Sequence, residues 1–230
     1  MEPDIPWYLR EEVVKSYEHW YEVKGKRAGI LEKELLKQLV DYVGNTKTLL
    51  EVGAGTAHFT RWFESLGINC VGLDFSPLML KEASTLWDGS LVRGDAHHLP
   101  FREKTFDVVA FIACMEYVSK PVDVLNEAKR VARHGMLWGI MNKWSLPTIR
   151  RKLQVLLGRN PFYKSARFYS ILDAKGLLDK ALNGSKYRTR WSATVYPRLL
   201  PLRRSRLPFG AFLGVAVRFD ATGEANARDR

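Results

Sequence analysis

Gly53 and Gly55 follow directly on the apolar run Thr48 to Val52, and a helical pattern starts just after them, so TLLEVGAGTAHF reads as strand, tight turn, helix. Glycine at such a turn lets the backbone approach a ligand closely, and the start of the helix offers unpaired N–H groups. The chemistry would be the cradling of a cofactor; the plain alternative is an ordinary strand-to-helix turn. Acidic residues stand at the next two strand ends. Asp74 closes CVGLD about 20 residues past the glycines, where a carboxylate accepts from ribose hydroxyls or else caps a helix. Asp95, in LVRGDAHHLPF, can accept from an adenine amine while the Ala96 N–H meets a ring nitrogen; otherwise it is a Gly-Asp turn. Glu51 or the glycine loop, Asp74 and Asp95 together describe a site for an adenosine-containing cofactor rather than a lone phosphate. His97 and His98 lack the spaced partners of a metal site, and no metal is expected.

These positions need a scaffold that brings strand ends together. Residues 7 to 43 carry helical spacing, with a stripe from Ile30 to Val43, a break near Gly25 and a stop at Gly44-Asn45. Strands are then predicted at Thr48–Val52, Cys70–Leu73, Leu91–Arg93, Phe106–Ala113 and Met136–Met141. Helices between them run to about Leu66, over Pro77–Leu86 and over Val122–Ala132. Alternation of this kind gives an α/β fold, a doubly wound, mostly parallel sheet with helices on both faces. The ligand belongs outside the carboxyl ends of its strands. Further on, helices are predicted from the Ser145 cap to about Leu157 and over Ala166–Leu182, and strands over Arg188–Tyr196 and Ala211–Phe219. The connection from Pro197 to Gly210 is basic and proline-punctuated, and Asp220 to Arg230 is a polar tail.

The 230 residues, 46% apolar and 27% charged, fit one soluble globular domain. With no apolar run of about 20 residues and no leader-like N-terminus, the chain is expected to be cytoplasmic. Cys70 and Cys114, each in an apolar run, read as buried packing residues. The net charge of +11 is uneven: residues 1–142 hold 17 Lys/Arg against 20 Asp/Glu, whereas 143–206 hold 16 against 2. A partner facing that last third is expected to be acidic or phosphorylated; the alternative is a plain solvated basic face.

The segments LLEVGAGTAHFT, GLDFSPLMLKEA, VRGDAHHLPFREKTFDVV and LNEAKRVARHG, in that order and spacing, resemble class I S-adenosylmethionine-dependent methyltransferases. Within them, the chain is similar to the branch that includes ubiquinone/menaquinone-biosynthesis methyltransferases. The resemblance implies a seven-stranded Rossmann-like sheet with one antiparallel strand near the carboxyl edge. It implies one domain over 1–220: N-terminal helices at 1–46, a cofactor core at 47–142, and an acceptor-side basic segment with the last strands at 143–210, ahead of the 221–230 tail. It makes S-adenosyl-L-methionine the cofactor and S-adenosyl-L-homocysteine the product. Glu51, Gly53 and Gly55 would lie under the methionine end, Asp74 at the ribose, Phe75 against the adenine, and Asp95 with Ala96 at the adenine amine. Ala113 would approach the amino-acid end, and Tyr17 or Tyr21 would close over the cofactor. The third glycine of the usual loop is Ala57 here, and His134-Gly135-Met136 replaces the usual Pro-Gly-Gly before strand five.

Methyl transfer from a sulfonium is an in-line displacement, for which the protein mainly aligns the acceptor and excludes water. A base is required only for a poorly acidic hydroxyl or a protonated amine; the candidates near the strand mouths are His58, His98, Glu116 and Tyr117. Ala113-Cys114-Met115-Glu116 is not the Asn/Asp-Pro-Pro-aromatic signature of exocyclic or amide nitrogen methylation. The acceptor is expected to be a small molecule, anionic or lipid-like. RNA modification through the 143–206 segment, contact with an anionic membrane through the 145–157 helix, and a non-catalytic cofactor scaffold stand as alternatives.

Overall fold

The computed structural model describes residues 6–159, 163–197 and 203–220. A 3-10 turn at Trp7–Leu9 leads into α1 (Glu11–Glu22) and α2 (Lys26–Val43). Strand and helix then alternate as β1 (Thr48–Val52), α3 (His58–Ser65), β2 (Asn69–Asp74), α4 (Pro77–Leu86), β3 (Ser90–Arg93), β4 (Phe106–Ile112), α5 (Pro121–Val131) and β5 (Ala132–Met141). The last third adds α6 (Leu146–Leu156), α7 (Ile171–Ala181), β6 (Tyr187–Thr194), β7 (Arg204–Ser205) and β8 (Phe212–Phe219).

The strands form one sheet in the order β3-β2-β1-β4-β5-β8-β6-β7. Strands β1 to β5 are parallel, and β8 runs antiparallel between β5 and β6. The sheet is therefore mostly parallel and doubly wound, with eight strands rather than seven. The extra strand is β7, paired with Ala193 and Thr194 inside the basic connection. Two residues are too short to show an alternating pattern. Alternate side chains enter opposite layers. Leu50, Val109, Phe111 and Trp138 pack with Leu125 of α5 and Leu178 of α7, whereas Leu49, Val108, Ala110 and Leu137 pack with Leu36 of α2 and Phe63 of α3. Burial from both sides explains why β4 is apolar almost without interruption. A Cβ at Gly214 would lie 2.4 Å from Leu39 Cδ1, so the glycine lets α2 pack directly on β8.

Two element starts and one burial differ from the sequence expectation. Strand β5 starts at Ala132 rather than Met136, because it pairs with β4 as soon as α5 ends, across a bulge between Phe106 and Val108. Helix α7 starts at Ile171 rather than Ala166, because Ser170 and Asp173 form a reciprocal capping box at its first turn. The second cysteine is not a fully buried packing residue: Cys70 is buried, but Cys114 is half-buried and lies where β4 leaves the sheet. Residues 198–202 of the basic connection and the 221–230 tail lie outside the described residues.

Candidate functional site

The carboxyl ends of β1, β2, β3 and β4 open onto a cavity of about 300 Å³. Its wall contains Tyr17, Glu51, Gly53, Gly55, Asp74, Phe75, Asp95, Ala96 and Ala113. The glycine turn is shaped by backbone: Gly53 and Gly55 have φ of +73° and +56°, and a Cβ on Gly53 would lie 2.4 Å from Cys114 Cβ. The N–H groups of Gly53 and Ala54 both donate to the Leu73 carbonyl, which ties this turn to the end of β2. Ala57 takes the third glycine's place and keeps a left-handed backbone, at φ +60°. Ala113, in the wall, also has a positive φ, +53°.

Asp74 is positioned by the turn that it faces. The Gly55 N–H donates to Oδ2 at 2.7 Å, and the Ser76 N–H donates to Oδ1 at 2.8 Å. Burial raises its pKa, opposed by the backbone N–H groups of Ser76, Gly55 and Phe75. Each carboxylate oxygen keeps a further lone pair for a donor in the cavity. Phe75 follows at the rim, 59% exposed. Asp95 accepts at Oδ1 from the His97 N–H and faces His97 Nδ1 at 2.7 Å. Those partners, chiefly the His97 backbone N–H, hold its carboxyl below the usual range. Glu51 is buried, and burial pushes its pKa up to about 8 against the hydroxyl of Thr60 that donates to it.

The N-terminal segment covers this cavity. Trp7, Tyr8 and Tyr17 line it; Trp7 stacks on Tyr17 at 5.8 Å and meets Tyr117 edge-on at 5.6 Å. The Ser76 hydroxyl caps α4 through Met79 N and donates to the Tyr8 carbonyl at 2.6 Å, pinning the cover to the rim of Asp74. Of the two tyrosines expected to close over the site, Tyr17 does line it. Tyr21 stands behind, stacked on His58 at 4.0 Å.

The four candidate bases separate clearly. His58 and Tyr117 are in the wall; His98 and Glu116 are not among its residues. His98 donates its N–H back to the Asp95 carbonyl, and His97 takes the place facing the cavity. Glu116 is buried behind the wall, where Oε1 accepts from the Met141 N–H and burial raises the carboxyl to about 7. Burial, with Tyr163 and Glu116 nearby, pushes the Tyr117 phenol far up, so it acts as a donor. His58 is the best built of the four. Its Nδ1 lies 3.2 Å from Glu18 Oε2, and its buried Nε2 has no partner among the described residues. Glu18 itself accepts from Thr56 Oγ1 and pairs with Arg61 at 2.9 Å. Burial alone would raise the Glu18 pKa, but His58, Thr56 and Arg61 hold it down at about 2. An ionised Glu18 accepts from an Nδ1–H, and this pairing orients the ring.

Glu18, Trp7, Tyr8 and Cys114 were not singled out by residue spacing. Glu18 had one local signal, its place between Tyr17 and Tyr21 on the same helix, but its pairing with α3 spans 40 residues. Cys114 donates its thiol to the Val52 carbonyl at 3.0 Å and so buttresses Gly53. Among the described residues no group of three or more His, Cys, Asp or Glu is placed to hold a metal ion. No described helix is long and apolar enough to cross a membrane.

Residues 50–138, which contain this turn and the three strand ends after it, match the model of the methyltransferase domain family. Residues 50–138 carry a methyltransferase domain. The methyltransferase domain is similar to the demethylmenaquinone methyltransferase of Tropheryma whipplei, 31% identical over 139 residues, 56% of this chain and 51% of that protein. A solved S-adenosylmethionine-dependent methyltransferase of Thermotoga maritima, described as a possible histamine N-methyltransferase, superposes with a TM-score of 0.75 at 24% identity. That match covers 92% of this chain and 98% of the other. A plantazolicin methyltransferase, solved with a triazolic desmethylPZN analog and S-adenosylhomocysteine, gives a TM-score of 0.66 at 13% identity over 94% and 93% of the two chains. At these identities the solved structures speak for the fold. The chain spans about half or less of the curated relatives named here, 51% of the Tropheryma protein and 36% of an uncharacterized methyltransferase from Mycolicibacterium vanbaalenii.

Proposed function

We propose that the chain transfers a methyl group from S-adenosylmethionine to a small-molecule acceptor, with residues 1–220 working as one unit. The observation that carries this reading is the cavity of about 300 Å³ at the strand ends, roofed by Trp7, Tyr8 and Tyr17. Its wall fits an adenosine-containing cofactor on three counts. The Gly53 cradle has no room for a Cβ. Asp74 and Asp95 are acceptors at successive strand ends, and Phe75 is an exposed aromatic at the rim between them. The wall also holds a buried nitrogen, His58 Nε2, without a protein partner.

When bound, S-adenosylmethionine supplies an electrophilic methyl group on a sulfonium. In this assignment Gly53 and Gly55 let the backbone meet it closely, Asp74 accepts from the ribose, and Asp95 with the Ala96 N–H takes the adenine edge. Trp7, Tyr8 and Tyr17 exclude water from the reacting end. His58 Nε2 takes the acceptor's proton, and the Glu18 carboxylate stabilises the resulting imidazolium.

Calorimetry with S-adenosylhomocysteine tests the reading: one site is expected, weakened about tenfold or more by Asp74→Asn, since one charge-assisted hydrogen bond is worth about 1.5 kcal/mol or more. Absence of binding to the intact chain overturns it. The RNA-modifying alternative draws less support, because much of the basic third is engaged within the protein. Arg190 lies over Tyr42, Arg151 over Tyr163 and Lys152 over Phe168, while Arg188 pairs with Asp220 and Lys143 with Asp173.

A further inference from the structure

Helix α6 is amphipathic, yet it lies on the protein the wrong way round for a core helix. Thr148 is buried and Arg151 and Val155 are half-buried, whereas Leu146, Ile149, Leu153, Leu156 and Leu157 are 68, 46, 55, 81 and 65% exposed. At 3.6 residues per turn those five side chains form a single stripe about 100° wide, bordered by Arg150 on one side and Lys152 on the other. An outward apolar stripe of this size is not how a helix is used to close a core.

Charge identifies what covers it. From Lys143 to Arg159 the sequence holds five cations and no Asp or Glu. A second, unrelated stretch joins it: the Asn142 amide donates to the carbonyls of Pro208 and Gly210, both at 2.8 Å, which brings the 203–210 loop beside the start of α6. That loop contributes exposed Leu207 and Phe209, at 50 and 58%, with Arg203, Arg204 and Arg206 and again no acidic residue. Trp144, 36% exposed, sits between the two. Lys143 is paired with Asp173 and Arg203 with Glu34, while Arg150, Arg159, Arg204 and Arg206 have no ion pair among the described residues. Apolar side chains in so basic a border suit the boundary of an anionic bilayer, where the leucines enter the acyl region and Arg and Lys remain with the headgroups. A second protein would need a complementary acidic rim, and a second copy of this surface would meet it with like charge.

The patch follows β5 at its carboxyl end, on the same side of the sheet as the ligand cavity. Arg151 reaches over Tyr163, and the charge of Arg151 acts on buried Glu116, the neighbour of the wall residue Tyr117. We infer that α6 and the 203–210 loop form a docking surface for an anionic lipid membrane, lying in its interface rather than spanning it. This inference stands on exposure and charge, and holds whether or not the methyl donor assignment does.

The test uses the intact chain with phosphatidylcholine vesicles and with mixed phosphatidylcholine–phosphatidylglycerol vesicles, read by co-sedimentation. Binding to the mixed vesicles and not to the neutral ones is expected. Arg150→Gln with Arg159→Gln should weaken the partition roughly 30-fold, and Leu153→Glu with Leu156→Glu should abolish it. All four positions are exposed, so both variants should keep the circular dichroism and the S-adenosylhomocysteine affinity of the parent, which separates this failure from that of the cofactor site. Equal binding to neutral vesicles, no binding to either, or variants that bind like the parent would overturn the inference. So would a dimeric parent that the leucine variant turns into a monomer.

Discussion

Gly53→Ala puts the closest contact of the site under stress. The new Cβ would stand 2.4 Å from Cys114 Cβ and 2.9 Å from its Sγ, on a backbone at φ +73°. An L side chain in the left-handed region costs about 1–2 kcal/mol. Forcing a methyl group into packed neighbours adds about 1–3 kcal/mol. Cys114 cannot withdraw freely, because its thiol is bound to the Val52 carbonyl at 3.0 Å and its backbone continues β4. The total, about 2–5 kcal/mol, is a large share of the roughly 5–15 kcal/mol that holds a domain folded. Urea unfolding should register it as a midpoint lowered by roughly 1 M or more. The two contributions separate in a Cys114→Gly background, which removes the clash and leaves the backbone. There Gly53→Ala should cost only about 1–2 kcal/mol. A single variant within about 0.5 kcal/mol of the parent, or an equal cost in both backgrounds, would refute the reasoning.

Three further outcomes follow from the site and its supports. Glu18→Gln and His58→Gln should each lower kcat by about 10²- to 10⁴-fold with S-adenosylhomocysteine affinity held, as for loss of a proton acceptor; loss of affinity at unchanged kcat would make His58 a cofactor ligand instead. Asp107 accepts the N–H groups of Lys47 and Thr48 and pairs with Arg133, and although burial opposes it, these partners lower its pKa. Its stabilisation is therefore present above the ordinary carboxylate pKa and is lost as pH falls through the lowered one. Asp107→Asn should cost about 1–3 kcal/mol at neutral pH, with a gap that closes in acid; a pH-independent gap contradicts this. Ala57→Gly should stabilise the protein by up to about 1 kcal/mol, because relief of the strain at φ +60° outweighs the added freedom of the unfolded chain. A loss of stability on thermal melting would mean that the Ala57 methyl earns its place by packing.

The strand-end half of the cavity was legible as a set of residues brought together because its determinants are local. A glycine pair after a strand, and an acidic residue at each of the next two strand ends, repeat a spacing that the alternation of strands and helices enforces. The cover was not legible. Tyr8 at the cavity and Glu18 behind its wall are held by contacts with residues 38 or more positions away, Thr56, His58 and Ser76, and nothing in their own neighbourhood announces those partners. The orientation of α6 was hidden for another reason. The spacing of Leu146, Ile149, Leu153 and Leu156 defines a stripe, but periodicity is the same whether a stripe faces the core or the solvent. Likewise the Ser170–Asp173 capping box, and not the apolar and aromatic residues from Ala166, sets where α7 begins.

The sheet that carries the site ends in its two shortest strands, β3 with four residues and β7 with two. Beyond β7, the outer side of β6 carries Arg188 and Arg190. Unpaired N–H and C=O groups along a margin are a template on which another chain can add, and brevity together with like charge is how such margins are kept from propagating. The consequence concerns solubility rather than catalysis. Removing Arg188 and Arg190 together leaves the cavity untouched while opening a longer, neutral margin, so self-association is the cost expected at that end of the molecule.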